Sequence, residues 1–405
     1  MYKRQAGTSS NSGTDANKFD MASGLLNLSG GTLYLQGQAS SSRRCINIDE
    51  TGVTSDITSG HTIDVGTNST PKNMYLNFNG HSIGNLTVNL TGQNAYIKTD
   101  MNALGGVTIT DGTLVIDTYT ATVAGATSVS GTLKVGAGQY DANGTFDATS
   151  GTIDFNNGNA QLLVSTPSVT SFGALDDATG TVVYDGTSAQ TIDETETFYS
   201  LKVDNSSGVT LNEAVGVNGT LNMTSGNIVN PSNVLTVGSS AGAGSISHTS
   251  GIVTGQLRQY FPNSSGSKFF PVGNSSIMRD VTVDFTSAPG SNQYLTASYV
   301  SGYPLANDGS NLYSGLPLTT GDGQNIDDYD DEGYWEIIPG SSSLGDSYSA
   351  DINSKAYNLS IHCNNLTADD GGQLDRTTIR VIKSAGPSHT SWGITNTWFC
   401  LRNGC

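Results

Sequence analysis

Basic residues are scarce in this chain. Its 405 residues include 17 Lys and Arg against 35 Asp and Glu, a net charge of −18. Binding nucleic acid through its phosphates needs a dense Lys/Arg surface, so that class is excluded. Charge of either sign is sparse, at 13% of residues, about half the ~25% usual in soluble proteins. Val, Ile, Leu, Phe and Tyr recur regularly, so a self-repelling disordered chain is excluded too. No apolar run approaches the ~18 residues of a membrane-spanning helix, and no span is expected. Cysteine is confined to Cys45, Cys363, Cys400 and Cys405, without a CxxC pair, so a zinc pattern is missing. Cys400 could bridge to Cys363 or to Cys405, or all four could stay thiols; spacing leaves this open.

The N-terminus also lacks something. Lys3-Arg4 is followed by no apolar core, so no signal peptide is read there. Met1-Tyr2-Lys3-Arg4-Gln5 is similar to the peptide encoded by adapter remnants at the ends of metagenomic contigs. Residues 1–23 are therefore expected to be disordered or artefactual. The chain is expected to be a fragment at both ends.

Glycine, by contrast, is abundant, at 50 residues, where ~7% of 405 would be about 28. It has no three-residue period, which excludes collagen. It leads a short recurring pattern of Gly, Thr, apolar, polar, apolar. The pattern reads Gly31-Thr32-Leu33-Tyr34-Leu35, Gly112-Thr113-Leu114, Gly131-Thr132-Leu133-Lys134-Val135 and Gly151-Thr152-Ile153-Asp154-Phe155. It returns at Gly180-Thr181-Val182 and Gly219-Thr220-Leu221-Asn222-Met223. The glycine spacings are 81, 19, 20, 29 and 39. A step of about 19–20 covers four of these, and the 29 calls for an insertion of about ten residues near Pro167.

Each repeat is a short strand with period-2 alternation, bounded by Ser-Gly, Asn-Gly or Asp-Gly turns. Helical periodicity is not visible. The expected fold is all-β: a right-handed parallel β-solenoid over 24–255, with about eleven coils stacked at ~4.8 Å. Sparse charge fits this fold, because like charges stacked in register repel.

The pattern changes near Gly255. Longer alternating strands follow at Val281-Thr282-Val283-Asp284-Phe285, Leu295-Thr296-Ala297-Ser298-Tyr299 and Tyr334-Trp335-Glu336-Ile337-Ile338. Further strands are read at 357–361 and 378–382. Residues 256–405 are expected to form a β-sandwich-like cap or second domain. Phe269 and Phe270 are expected to pack at the junction.

The acidic run Asp327, Asp328, Asp330, Asp331 and Glu332 is the candidate calcium site, since clustered carboxylates suit a hard cation. It lacks the EF-hand order of ligands, and a solvated acidic loop is the alternative. No other cofactor is expected. Tyr303, Tyr313 and Tyr329, in a loop-like polar stretch, are the candidate ligand contacts. Polysaccharide cleavage would need paired carboxylates. Asp117 with Asp154, about two coils apart, and the pairs Asp176-Asp177 and Asp193-Glu194 could supply them. Scattered outward carboxylates are the alternative. The five histidines, at 61, 81, 248, 362 and 389, show no motif spacing, and no catalytic residue is assigned. Gly-rich 238–244 is read as a turn, because it lacks a phosphate-loop Lys. Thr118 to Thr122 does not recur as an ice-binding ladder would require.

Four segments carry a family resemblance. They are Gly180 to Ile192, Phe198 to Ile228, Val253 to Gly273, and Tyr334-Trp335-Glu336-Ile337. Together they resemble the large repetitive secreted and cell-surface proteins of Bacteroidota, commonly cargo of the type IX secretion system. The resemblance implies an extracellular or outer-surface location and an adhesin-like role, with glycans or surface proteins as partners. It supplies no catalytic residues. A non-enzymatic structural protein is the first expectation, and a polysaccharide-binding or polysaccharide-degrading β-helix the second.

Overall fold

A computed structural model describes residues 19–21, 24–35, 46–48, 53–66, 73–289, 293–302, 318–319, 325–329, 333–340, 357–362, 379–384 and 397–403. The described residues form strands and turns with no helix. The fold is a parallel β-solenoid of about ten turns, followed by antiparallel sheets. The chain divides into two compact units, 1–207 and 208–405.

In the first unit each full turn lays down strands on three faces. The first face stacks Ser82–Ile83, Met101–Ala103, Thr120–Val123, Gln139–Ala142, Gln161–Val164, Thr181–Tyr184 and Ser200–Asp204, all parallel. The second face joins His61–Val65, residues 85–88, 107–109, Thr127–Val129 and Phe146–Asp147. Isolated parallel bridges, Asp147 to Ser171 and Ser168 to Thr191, carry it further. The third face joins Met74–Asn77, residues 95–97, 113–115, Thr132–Lys134, Thr152–Asp154 and Ala174–Leu175.

Alternation in the sequence decides what points inward. In Gln139-Tyr140-Asp141-Ala142, Tyr140 and Ala142 are fully buried while Gln139 and Asp141 meet solvent. Register then aligns Ala121, Tyr140, Leu162, Val182 and Leu201 into one inward column, every member at most 1% exposed. Each large aliphatic side chain so buried contributes roughly 1.5–3 kcal/mol. Phe146, Phe172 and Phe198 form a second column, with ring centroids 5.8 and 5.7 Å apart. No single turn could bury these groups; stacking does.

The repeat step differs from the expected even spacing. Gly31 pairs with His61, Ile63 with Leu86, Leu86 with Val107, Val107 with Thr127 and Thr127 with Phe146. Each of these steps is shorter than the one before it. Early turns are thus longer, and four equal steps do not span Gly31 to Gly112. The expected ten-residue insertion near Pro167 is found at about half that length: the second-face step rises from 19 residues, Thr127 to Phe146, to 24, Asp147 to Ser171. Thr152 pairs with Ala174 on the third face, and Thr181 already lies on the first face. The long gap between Gly151 and Gly180 is therefore one lengthened turn plus a change of face. A Gly-Thr pair opens a strand after a corner, and corners exist on more than one face.

One corner needs glycine for space rather than for dihedral freedom. A Cβ on Gly125 would lie 2.7 Å from the Gly105 carbonyl carbon, and one on Gly144 would lie 2.3 Å from the Gly125 oxygen. Backbone packs on backbone there, turn after turn. Phe19–Met21, within the segment expected to be disordered, is a strand paired in parallel with Ile46–Ile48. Residues 1–18 lie outside the described residues.

The second unit begins in the same parallel manner. Val215–Val217 pairs with residues 235–237, Thr220 to Met223 with Ser245–His248, and Ile228–Val237 with residues 253–259. Pairing changes within Val253–Phe261, whose Leu257 to Phe261 run antiparallel to Gln293–Ser301. Gly333–Gly340 continues that sheet. Gly266–Phe270, Val281–Phe285 and Tyr357–Ile361 form a separate antiparallel sheet. Phe261 of one sheet meets Phe285 and Phe270 of the other, with centroids 5.1 and 6.5 Å apart. All three rings are at most 2% exposed, a sandwich-like arrangement. Phe270 packs between the two antiparallel sheets, against Phe261, and Phe269 lies against His248 at 5.5 Å. Trp335 is fully buried, its Nε1 donating to the Arg279 carbonyl at 2.7 Å.

Candidate functional site

A small cleft among the described residues lies in the first unit. Val169, Ser171, Phe172, Tyr184, Thr191, Ile192, Asp193, Glu194 and Glu196 line it. Its free space is about that of one water-sized group. Two successive turns build it. Val169 to Phe172 come from the earlier second-face segment, and Thr191 to Asp193 from the next one.

Tyr184 is the last residue of its first-face strand and points inward, fully buried. Its hydroxyl has no hydrogen-bond partner among the described residues. Burial pushes that phenol upward, and the nearby Glu196 and Asp193 carboxylates push it further. Asp193 Oδ2 accepts from Ser168 Oγ at 2.6 Å and from Thr191 Oγ1 at 2.7 Å. Glu196 is half-buried, and its Oε1 accepts from the Thr197 amide at 2.9 Å. Burial raises its pKa above the usual carboxylate value, with Glu194 and Asp177 adding to the rise. The cleft is therefore an acidic pocket with an aromatic wall and an unpaired phenol.

Members of two acidic pairs read separately in the sequence act on the same group here. Asp193, Glu194 and Glu196 line the cleft, and the charges of Glu194 and Asp177 act on Glu196. Glu196 and Tyr184 were not among the expected site residues. The signal that could have found Glu196 is its offset from Asp177, which equals the one-turn offset from Thr127 to Phe146.

Asp117 and Asp154 do not come together. The third-face register places Val115, Lys134 and Asp154 in one row, while Asp117 turns the following corner at φ 63°. Asp154 is instead paired with Lys134 at 2.9 Å.

Thr120 and Thr122 have Gln139 and Asp141 as neighbours in the next turn, so no threonine ladder forms. Residues 238–244 make the expected turn, closed by an antiparallel bridge between Ser239 and Gly242. His248 Nε2 lies 2.8 Å from the Gly251 oxygen, and His362 Nδ1 lies 2.6 Å from Asp280 Oδ1. His389 lies outside the described residues.

Part of the acidic run is corrected from loop to strand. Asn325–Tyr329 is a strand, so Asp327, Asp328 and Tyr329 stand on it. Its pairing with Thr397–Asn403 fixes the backbone there. Asp330, Asp331 and Glu332 lie outside the described residues, as do Tyr303, Tyr313, Cys45, Cys363 and Cys405. Among the described residues no group of three or more His, Cys, Asp or Glu could hold a metal ion.

A surface row of a different kind lies on the third face. Tyr75 and Tyr96, one turn apart, stack with centroids 5.1 Å apart and planes 9° from parallel. The Lys98 ammonium sits 5.4 and 5.1 Å from the two ring centres. No family model, curated protein or solved structure matches this chain.

Proposed function

We propose that this chain is a non-enzymatic structural module of an extracellular or outer cell surface, adhesin-like, whose solenoid turns act as a spacer. One observation carries the proposal. Thr120, Gln139, Gln161 and Thr181 form an outward row in register, uncharged and polar, while the adjacent column is fully buried. Such a lattice repeats indefinitely without needing a charged site, which suits a scaffold. The resemblance of four segments to Bacteroidota surface proteins supports the same location and the type IX export route.

The second reading is polysaccharide binding. The partly exposed Tyr75 and Tyr96 rings favour it, since sugars stack on aromatic side chains. Cleavage is disfavoured at the acidic cleft, where the space is about one water rather than one sugar ring.

The test has two arms. Antibody labelling of intact source cells is expected to detect the chain, and confinement to the cytoplasm would sink the surface reading. Full-length protein incubated with a polysaccharide panel is expected to release no new ends. Turnover of any polysaccharide would overturn the non-enzymatic part.

A further inference from the structure

We propose that the cleft beside Tyr184 binds a single primary ammonium group carried on an unbranched alkyl chain, the chemistry shared by a lysine side chain and a free alkylamine. The walls argue first. Asp193, Glu194 and Glu196 line the space, and the Asp177 charge also acts on Glu196. Among the described residues lining it, none is basic. These carboxylates accept hydrogen bonds and cannot donate to one another when ionised. A donor carrying positive charge complements such a wall.

The Tyr184 hydroxyl argues second and independently. It is buried, lies among the cleft residues and has no partner among the described residues. A buried polar group left unpaired is costly, and a group that pairs it recovers that cost. Ammonium brings three donors, enough for the phenol oxygen and two carboxylates at once. Burial, with repulsion from Glu194 and Asp177, makes Glu196 reluctant to ionise, and a bound cation relieves the repulsion.

Size argues third. The free space takes about one water-sized group. An ammonium is that size, and a planar guanidinium with its five donors is larger. A divalent metal is disfavoured, since no described group of three or more ligands could hold one. The site does not depend on the surface-spacer reading.

The experiment is calorimetric titration of the full chain with methylammonium, methylguanidinium and tetramethylammonium. Saturable methylammonium binding is expected, with the other two cations clearly weaker. Glu196→Gln keeps the shape and removes the charge, so binding is expected to weaken about tenfold or more. Tyr184→Phe keeps the ring and is expected to weaken it several-fold, with thermal melting confirming that both variants fold. Butylammonium and the amide of Nα-acetyl-lysine then separate the sources. Tighter binding of the lysine amide points to a partner protein, and equal binding to a free amine. Absence of saturable methylammonium binding would overturn the proposal. Equal affinity for all three cations would do the same, as would indifference to Glu196→Gln.

Discussion

Gly144 lies one turn beyond Gly125, so close that a Cβ on Gly144 would stand 2.3 Å from the Gly125 carbonyl oxygen. Gly144 needs no left-handed backbone; it needs the missing side chain. Gly144→Ala is therefore expected to cost about 1–3 kcal/mol or more through overpacking. Gly92 is the control, with φ +66° and nothing within 4 Å of where a Cβ would stand. Gly92→Ala should cost only the left-handed penalty of about 1–2 kcal/mol. Urea unfolding of both variants checks the order, and a milder effect at Gly144 would contradict the close approach.

Gln190 holds four hydrogen bonds inside the first unit. Its Nε2 donates to the Val164 and Thr166 carbonyls at 2.8 Å each, and its Oε1 accepts from Gly186 and Asn205 at 2.9 Å each. Gln190→Leu keeps volume but strands the partners. The expected loss is about 2–5 kcal/mol, as several buried groups lose pairing at once. Faster hydrogen exchange at Gly186, whose amide loses its acceptor, is the local readout.

Lys134 and Asp154 should matter far less. Their ion pair is one-third exposed on both sides, so water and salt screen it. Asp154→Asn is expected to change stability by less than about 1 kcal/mol. The difference should shrink further in molar salt. A large, salt-insensitive loss would assign Asp154 a role beyond this pair.

Burial raises the pKa of Glu196, Asp185, Asp64 and Glu336. Each binds its proton more tightly folded than unfolded. Their stabilising contribution is complete below the unfolded values of 3.8 for Asp and 4.5 for Glu. It is lost as pH rises through the folded values. Asp147 runs the other way, lowered by its hydrogen bonds from Thr149. Glu196→Gln is therefore expected to stabilise the fold at neutral pH, with the gain fading toward pH 4.5. Melting temperatures across that range test it; a gain that grows on acidification would reverse the sign.

Much of the fold was legible because the alternation is strong. Tyr140, Leu162 and Val182 each sit between polar neighbours or at a strand's inward phase, and the register aligns them as one column. The Gly-Thr lead was legible as a corner but not as a particular face. The same two residues open strands on several faces, so spacing alone mixed turns with face changes. The acidic cleft was half legible. Asp177, Asp193 and Glu194 stood out as charges, but Glu196, one 19-residue turn beyond Asp177, did not. Tyr184 gave no signal, because an inward tyrosine at the end of a strand reads as core. Asp117 and Asp154 misled because two turns of spacing guarantee a shared face only when the offsets match.

The shortening register steps, from Gly31 with His61 down to Thr127 with Phe146, have a kinetic consequence. Every turn of the first unit finds its partner only a short stretch back along the chain. Short loops close at little entropic cost, and local contacts favour fast assembly. Each turn can therefore zip onto the one before it as the polypeptide emerges, without waiting for the rest. The sheet of Val281–Phe285 with Tyr357–Ile361 obeys a different clock. Val281 must wait for Ile361, several turns' worth of chain later. Ordering should thus sweep along the coiled turns first, and this long-range pairing should close last.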